Sequence, residues 1–277
     1  LGFFTGFIVS KYKKSEYKAT ATMKVDDESS DMSEFLAIEM FAESFNQYDK
    51  ILTEARILSS RTMIERAINK LPLDIRYFKS GKIASYELYK KSPITLQVIS
   101  KVDQLDLVHF EVWFNDSTNF TIEIVDESKE EAIPETHDLK LEEPFTFNGV
   151  TYSIVKSNSE ELTEIILDGS YEIYTVDRSQ LALEFDKDLF VGQVEEKVSI
   201  LQISFISTNA LLCKDFVDAL TSSYTKLMFE KKASAAVNTL KFIDERLDKL
   251  TDKMSVVESE ITKFKQDKKI IDFETVE

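Results

Sequence analysis

Hydrophobic and polar positions change rhythm several times along the chain. Tyr17 to Val25 alternates β-formers with small residues, the period-two pattern of a strand. Ser33 to Leu71 is helical in composition, with a break expected near Asp49. From Ser60 onward, Met63, Ile64, Ala67, Ile68 and Leu71 share one helical face, and Pro72 stops the pattern. Shorter alternating runs predict strands at Ile94–Val102, Val108–Phe114, Phe120–Val125, Phe145–Phe147, Thr151–Val155 and Tyr171–Val176. Asn148-Gly149 predicts a tight hairpin turn, and Asp116 to Asn119 a second one. Asp126 to Asp138 reads as a solvated acidic loop. A short helix is expected over Asp177–Asp188. Val198–Ile206 is apolar enough to be a central strand.

From Asn209 the period becomes helical and stays so beyond Phe264. Leu240, Leu247, Met254 and Ile261 recur every seventh residue, and Ile243, Leu250, Val257 and Phe264 follow three after each. These are the a and d positions of a coiled coil. Lys253 with Glu258, and Glu260 with Lys265, supply complementary g and e charges. A helix from Asn209 to Gln266 would be on the order of 90 Å long. No globular core has that length, so the eight a and d residues are the candidate oligomer or coil interface.

The two ends read as cuts in a longer chain. Leu1–Ser10 (LGFFTGFIVS) carries no charge and is followed by Lys11-Tyr12-Lys13-Lys14. A membrane helix needs about 20 apolar residues, so this run is read as the exit end of one, with Tyr12 and the lysines at the headgroups. At the other end the helical pattern stops without a proline or glycine, at Phe273-Glu274-Thr275-Val276-Glu277.

Composition narrows the chemistry. Only 6 glycines and 4 prolines occur in 277 residues, which excludes low-complexity disorder and leaves little for phosphate-cradling loops. Acidic residues outnumber basic ones, 50 to 34, for a net charge of −16. The excess lies ahead of the coil, whose charges balance. Such a chain is a poor nucleic-acid binder. Cys213 is the sole cysteine, so neither an intrachain disulfide nor a CxxC metal site can form. Gly81-Lys82 is followed by Ile83, and Arg76 stands where a Walker A motif needs its first glycine. GxGxxG, GxSxG and HExxH are absent. His109 and His137, the only histidines, have no ligand spacing. Trp113 with Phe110 and Phe114 offers a sugar-stacking platform or, more simply, core packing. The segment therefore reads as non-catalytic, with no cofactor and no metal.

The order of elements resembles the polysaccharide co-polymerase family, the Wzz-type chain-length determinants. Tyr17-Lys18-Ala19-Thr20-Ala21-Thr22-Met23 is similar to the family's first strand after the membrane helix. Ile51 to Leu73 resembles its Leu-x-Ser-Arg helix, with Ser60 and Arg61 at the motif. Ile203-Ser204-Phe205-Ile206-Ser207 resembles the second strand, and Ala236 to Leu247 the start of the ascending helix. Tyr86 to Pro93 adds a likeness to the Bacteroidetes-type, Wzc-like form, in which the periplasmic part is fused to a cytoplasmic tyrosine autokinase. Tyr17, Ala19, Ala21, Ser60 and Arg61 are the residues that carry the motif of the base.

The resemblance implies an α+β protein: a periplasmic α/β base with an all-β insert and a long projecting coiled-coil helix. Residues 1–12 would end the first transmembrane helix. Residues 13–93 and 178–207 would form the base, 94–177 the insert and 208–277 the ascending helix. Localisation would be the bacterial inner membrane, with this segment mainly periplasmic. Implied partners are other copies in a ring, commonly an octamer, the membrane, the polysaccharide polymerase, an outer-membrane export protein and the growing polysaccharide. ATP and Mg would belong to the kinase, which lies outside these residues. The alternative is a periplasmic adaptor of an efflux or secretion system, which also joins a β domain to a long coil. Six glycines, none beyond residue 208, fit its Gly-rich half-motifs poorly.

Overall fold

Strands form where side chains alternate between a buried and an open face. The computed structural model describes residues 15–25, 47–81, 85–100, 107–126, 135–157, 170–195 and 198–267. The apolar run Leu1–Ser10, the part of the predicted helical stretch before Gln47, and the residues after Asp267 lie outside them. Described in chain order are β1 (Tyr17–Lys24), α1 (Gln47–Leu58), α2 (Arg61–Ile68), β2 (Ile75–Ser80), β3 (Tyr86–Glu87), β4 (Ile94–Val98), β5 (Val108–Phe114) and β6 (Asn119–Asp126). Then follow β7 (Glu135–Lys140), β8 (Pro144–Phe147), β9 (Val150–Lys156), β10 (Ser170–Thr175), α3 (Arg178–Asp188), β11 (Leu189–Gln193), β12 (Ile200–Ser207) and α4 (Ala210–Asp267).

Local chemistry sets the boundaries. Asn148 and Gly149 both take left-handed backbone angles, φ 48° and 78°, as a two-residue turn matched to strand twist requires. The Asp116 carboxylate accepts from the backbone N–H groups of Thr118 and Asn119, each at 2.8 Å, and closes the β5–β6 hairpin. Ser60 accepts from the Met63 N–H and starts α2. The helix stops at Asn69, before Pro72, although Leu71 is still buried. Asp177 caps α3 through the Ser179 N–H, and Asn209 caps α4 through the N–H groups of Leu211 and Leu212. Glu135 to Asp138, expected in a loop, instead belong to the edge strand β7.

Every described strand pair is antiparallel. One sheet has the order β1-β12-β11, a second β3-β2-β10-β5-β6-β7, and a third β4-β9-β8. The strands predicted at Tyr17–Val25 and Val198–Ile206 form β1 and the central β12, which pair from Tyr17 opposite Ser207 to Lys24 opposite Ile200. The second and third sheets share one apolar cluster that includes Phe110, Ile122, Ile173, Tyr152 and Ile154. Phe110 is therefore core, the simpler of the two readings, and Phe114 packs against the same cluster. Against β12 a separate aromatic contact forms. Phe185 of α3, Phe205 of β12 and Phe216 of α4 meet with ring centroids 4.5 to 4.9 Å apart.

This architecture corrects the expected α/β base with an all-β insert and a projecting coiled coil. The described part of the first unit is mostly antiparallel β-sheet, three sheets and twelve strands, and one long helix follows the last strand. The physical reason lies in β2 and β3. Both come from the stretch assigned to the base, yet β2 pairs along its whole length with β10, so the supposed base and insert share one six-stranded sheet. The a and d positions of α4 face no second helix among the described residues, so a coil is not formed here.

The chain divides into two units, Leu1–Tyr224 and Thr225–Glu277. The first holds all three sheets. The second is, among the described residues, the remainder of α4. No described helix is long and apolar enough to cross a membrane.

Phe110 is fully buried, whereas Leu183 is half exposed. Phe110→Ala is expected to lower stability by about 3–5 kcal/mol, and Leu183→Ala by less than about 0.5 kcal/mol. Urea denaturation followed by circular dichroism checks both values.

Candidate functional site

The second unit is an amphipathic helix whose apolar side is open. Leu240, Ile243, Leu247, Leu250, Met254, Val257, Ile261 and Phe264 are between 41% and 63% exposed. At heptad spacing they form one continuous stripe. Arg246 lies over the Phe242 ring at 5.1 Å, a pair one turn apart on the flank of the stripe. Lys253, Glu258, Glu260 and Lys265 flank the stripe and are solvated.

The motif residues of the first unit serve the fold. The Tyr17 carbonyl accepts from the Cys213 thiol at 3.2 Å, which ties β1 to α4. Burial pushes that thiol up from the usual cysteine range, as expected of a packing group rather than a nucleophile. Ala19 and Ala21 pair with Phe205 and Ile203, where small residues sit beside large ones. Ser60 also donates to the Ile57 carbonyl at 2.6 Å, so one hydroxyl serves both the end of α1 and the start of α2. Arg61 pairs with Glu65 at 2.9 Å and reaches the Ser179 carbonyl of α3.

A network that no motif announced joins the six-stranded sheet to the helices. The Arg76 guanidinium of β2 donates to both Glu87 oxygens, at 2.8 and 2.9 Å, and to Glu184 of α3 at 3.1 Å. The Glu87 side chain is only 2% exposed. Burial alone would lower the Arg76 pKa, but the hydrogen bonds and charge of Glu87 and Glu184 hold it above its usual range. Removing one partner would leave a buried charge, so the pair matters more than its net worth suggests. The Glu87 carbonyl accepts from the Asn209 amide, and Asp215 of α4 accepts from Tyr89 and Lys90. Tyr89 has a left-handed φ of 44°, a strained value for a non-glycine that these contacts hold in place.

Next to this network, the face of the six-stranded sheet turned away from the core is polar. Glu123, Glu111 and Glu172 stand opposite one another on β6, β5 and β10. Burial raises the Glu111 pKa, and the Glu172 and Glu123 charges add to the rise. Burial also pushes Glu172 upward, but hydrogen bonds from Ser80, Ser85 and Tyr174 outweigh it and hold the group below the usual carboxylate range. Among the described residues, no group of His, Cys, Asp and Glu side chains could hold a metal ion. His109 lies on this face and His137 on the edge strand β7, beside Glu135.

No family model matches the chain. A tyrosine-protein kinase ptk from Acinetobacter johnsonii is 27% identical to it over 104 residues, which is 36% of this chain. The chain spans 14% of the length of that curated relative.

The two opposed pKa shifts give opposite stability effects. Glu172, depressed in the fold, contributes stability that is present above the ordinary glutamate range and is lost as pH falls through its folded value. Glu111, raised in the fold, is a burden above its folded value that lifts as pH falls. Glu172→Gln should lower the urea midpoint near pH 7, Glu111→Gln should raise it, and both differences should shrink toward about pH 3. Shifts of the same sign at neutral pH would contradict this assignment.

Proposed function

We propose that the chain is the non-catalytic periplasmic part of a polysaccharide co-polymerase. Copies of it assemble side by side in the bacterial inner membrane, with this segment mainly in the periplasm, and the assembly controls the length and export of capsule, exopolysaccharide or O-antigen. Its parent is a tyrosine autokinase, whose ATP and Mg sites belong to a domain outside these residues. The polymerase, the outer-membrane export protein and the growing polysaccharide are its working partners.

The open stripe on α4 carries this reading. Eight side chains, each contributing roughly 1.5–3 kcal/mol on full burial, give a drive on the order of 10 kcal/mol to find a covering surface, before ordering costs. The flanking charges favour copies in parallel and in register, because Lys253 then meets Glu258 of the next helix and Glu260 meets its Lys265. The β1 and α2 motif residues and the partial similarity to a tyrosine-protein kinase support the same family. No Walker A sequence occurs in the chain, which supports a scaffold role for this segment.

Leu247→Asp with Leu250→Asp should disperse the assembly, seen as a fall in mass by sedimentation equilibrium, while the thermal melting of the sheets persists. In a producing cell the same pair should shift polysaccharide length or abolish export. A double variant that keeps both its assembly mass and its polymer distribution would remove the basis of the proposal.

A further inference from the structure

The segment between β3 and β4 has fixed ends and a short middle that reaches α4. At one end the Glu87 side chain is gripped by Arg76 at 2.8 and 2.9 Å, and the Leu88 N–H donates to the Tyr77 carbonyl of β2 at 2.8 Å. At the other end the Ser92 hydroxyl donates to the Ile94 carbonyl at 2.6 Å, and Pro93 has its φ set by its ring. Between them Tyr89–Lys91 makes a single turn, in which the Lys91 N–H donates to the Leu88 carbonyl at 2.8 Å. The Tyr89 hydroxyl and the Lys90 ammonium donate to one Asp215 oxygen, at 3.2 and 2.6 Å. The Asn209 side chain, which caps α4, also donates to the Glu87 carbonyl at 2.9 Å.

Two features of this turn oppose each other. Tyr89 has a φ of 44°, a costly backbone for a residue with a Cβ, which persists only where its surroundings hold it. Among the described residues, the Tyr89 side chain is held by Asp215. Tyr89 and Lys90 also form part of the wall of a cavity of about 400 Å³. Ile75 and Leu96 line that cavity too, as do Tyr77, Thr95 and Ser157, which carry hydroxyls.

We propose that Tyr89–Lys91 is a latch between the six-stranded sheet and the root of α4, with a second position in which Tyr89 leaves Asp215, takes an ordinary φ and turns its ring into the cavity. The inference goes beyond the assembly reading and does not rest on it. The latched position gains two charge-assisted bonds and bears the backbone cost. The released position loses those bonds, relaxes the backbone and gives the ring an apolar seat, with hydroxyls to meet the phenol. Opposed contributions of this kind make a two-position element. The Arg76–Glu87 pair and the Ser92 bond hold the ends in both positions, so movement is confined to the turn. What changes is the grip on α4: release strips Asp215 of both donors and leaves the Asn209–Glu87 bond as the tie from this segment.

Hydrogen exchange of the intact 277-residue chain reads the latch at the Lys91 amide, whose bond closes the turn. Tyr89→Phe keeps the ring and the backbone cost but loses its bond to Asp215, and should speed exchange at Lys91 about tenfold. Asp215→Asn weakens both bonds and should speed it at least as much. Exchange in β5, β9 and β12, one strand from each sheet, should stay as it was. Thr95→Phe narrows the cavity, so adding it to Tyr89→Phe should return Lys91 close to its original rate. An unchanged Lys91 rate in both single variants overturns the proposal. A rise shared equally by all three sheets also overturns it, because Tyr89 would then only support the fold. Failure of Thr95→Phe to slow the exchange removes the second position and overturns it as well. None of these residues lies on the α4 stripe, so assembly mass reports on the earlier reading alone.

Discussion

The contact of Phe185, Phe205 and Phe216 is the joint on which the first unit depends. Three elements distant in sequence meet there: the central strand β12, the helix α3 and the first turns of α4. Because β12 pairs with β1 on one side and β11 on the other, fixing Phe205 fixes that sheet. Because Phe216 lies in the buried opening of α4, next to Leu212 and Leu220, it also fixes where the long helix begins. The Tyr224 hydroxyl, donating to Glu54 at 2.7 Å, closes this buried stretch. The Arg76–Glu87 pair does the corresponding task for the six-stranded sheet, linking β2 and β3 to α3.

Beyond Tyr224 the energetics change. A helix gains little from its own backbone in water and is stabilised mostly by packing of an apolar face. The described residues of the second unit have that face and leave it in solvent. A lone helix of this kind is an incomplete structure. Burial against another apolar surface is the interaction that would complete it.

What could be read from the chain beforehand was whatever is encoded within a few residues. Val108–Phe114 alternates cleanly, and β5 has those bounds. Asn148-Gly149 turns as its chemistry demands, and the period of α4 was plain. By contrast, β2 is half-buried at every position, because its two faces meet the core and the Arg76 network, so no alternation marks it. The edge strand β7 is almost wholly exposed and reads as a polar loop. The pairing of β2 with β10, about ninety residues away, left no local trace, and that pairing is what overturned the separate base and insert. Within the site, the stripe was visible through its heptads. Arg76, Glu87 and Glu172 were not, because each gains its role only from partners that the fold supplies.

The most direct test of the central claim is hydrogen exchange of the backbone amides between Ala236 and Phe264, measured at several protein concentrations. If the stripe is covered by other copies, protection there should rise with concentration and fall on dilution, while protection in β5, β10 and β12 stays constant. Equal, rapid exchange of this stretch at every concentration would contradict the account, because the helix would then stand alone and its apolar face would have no partner.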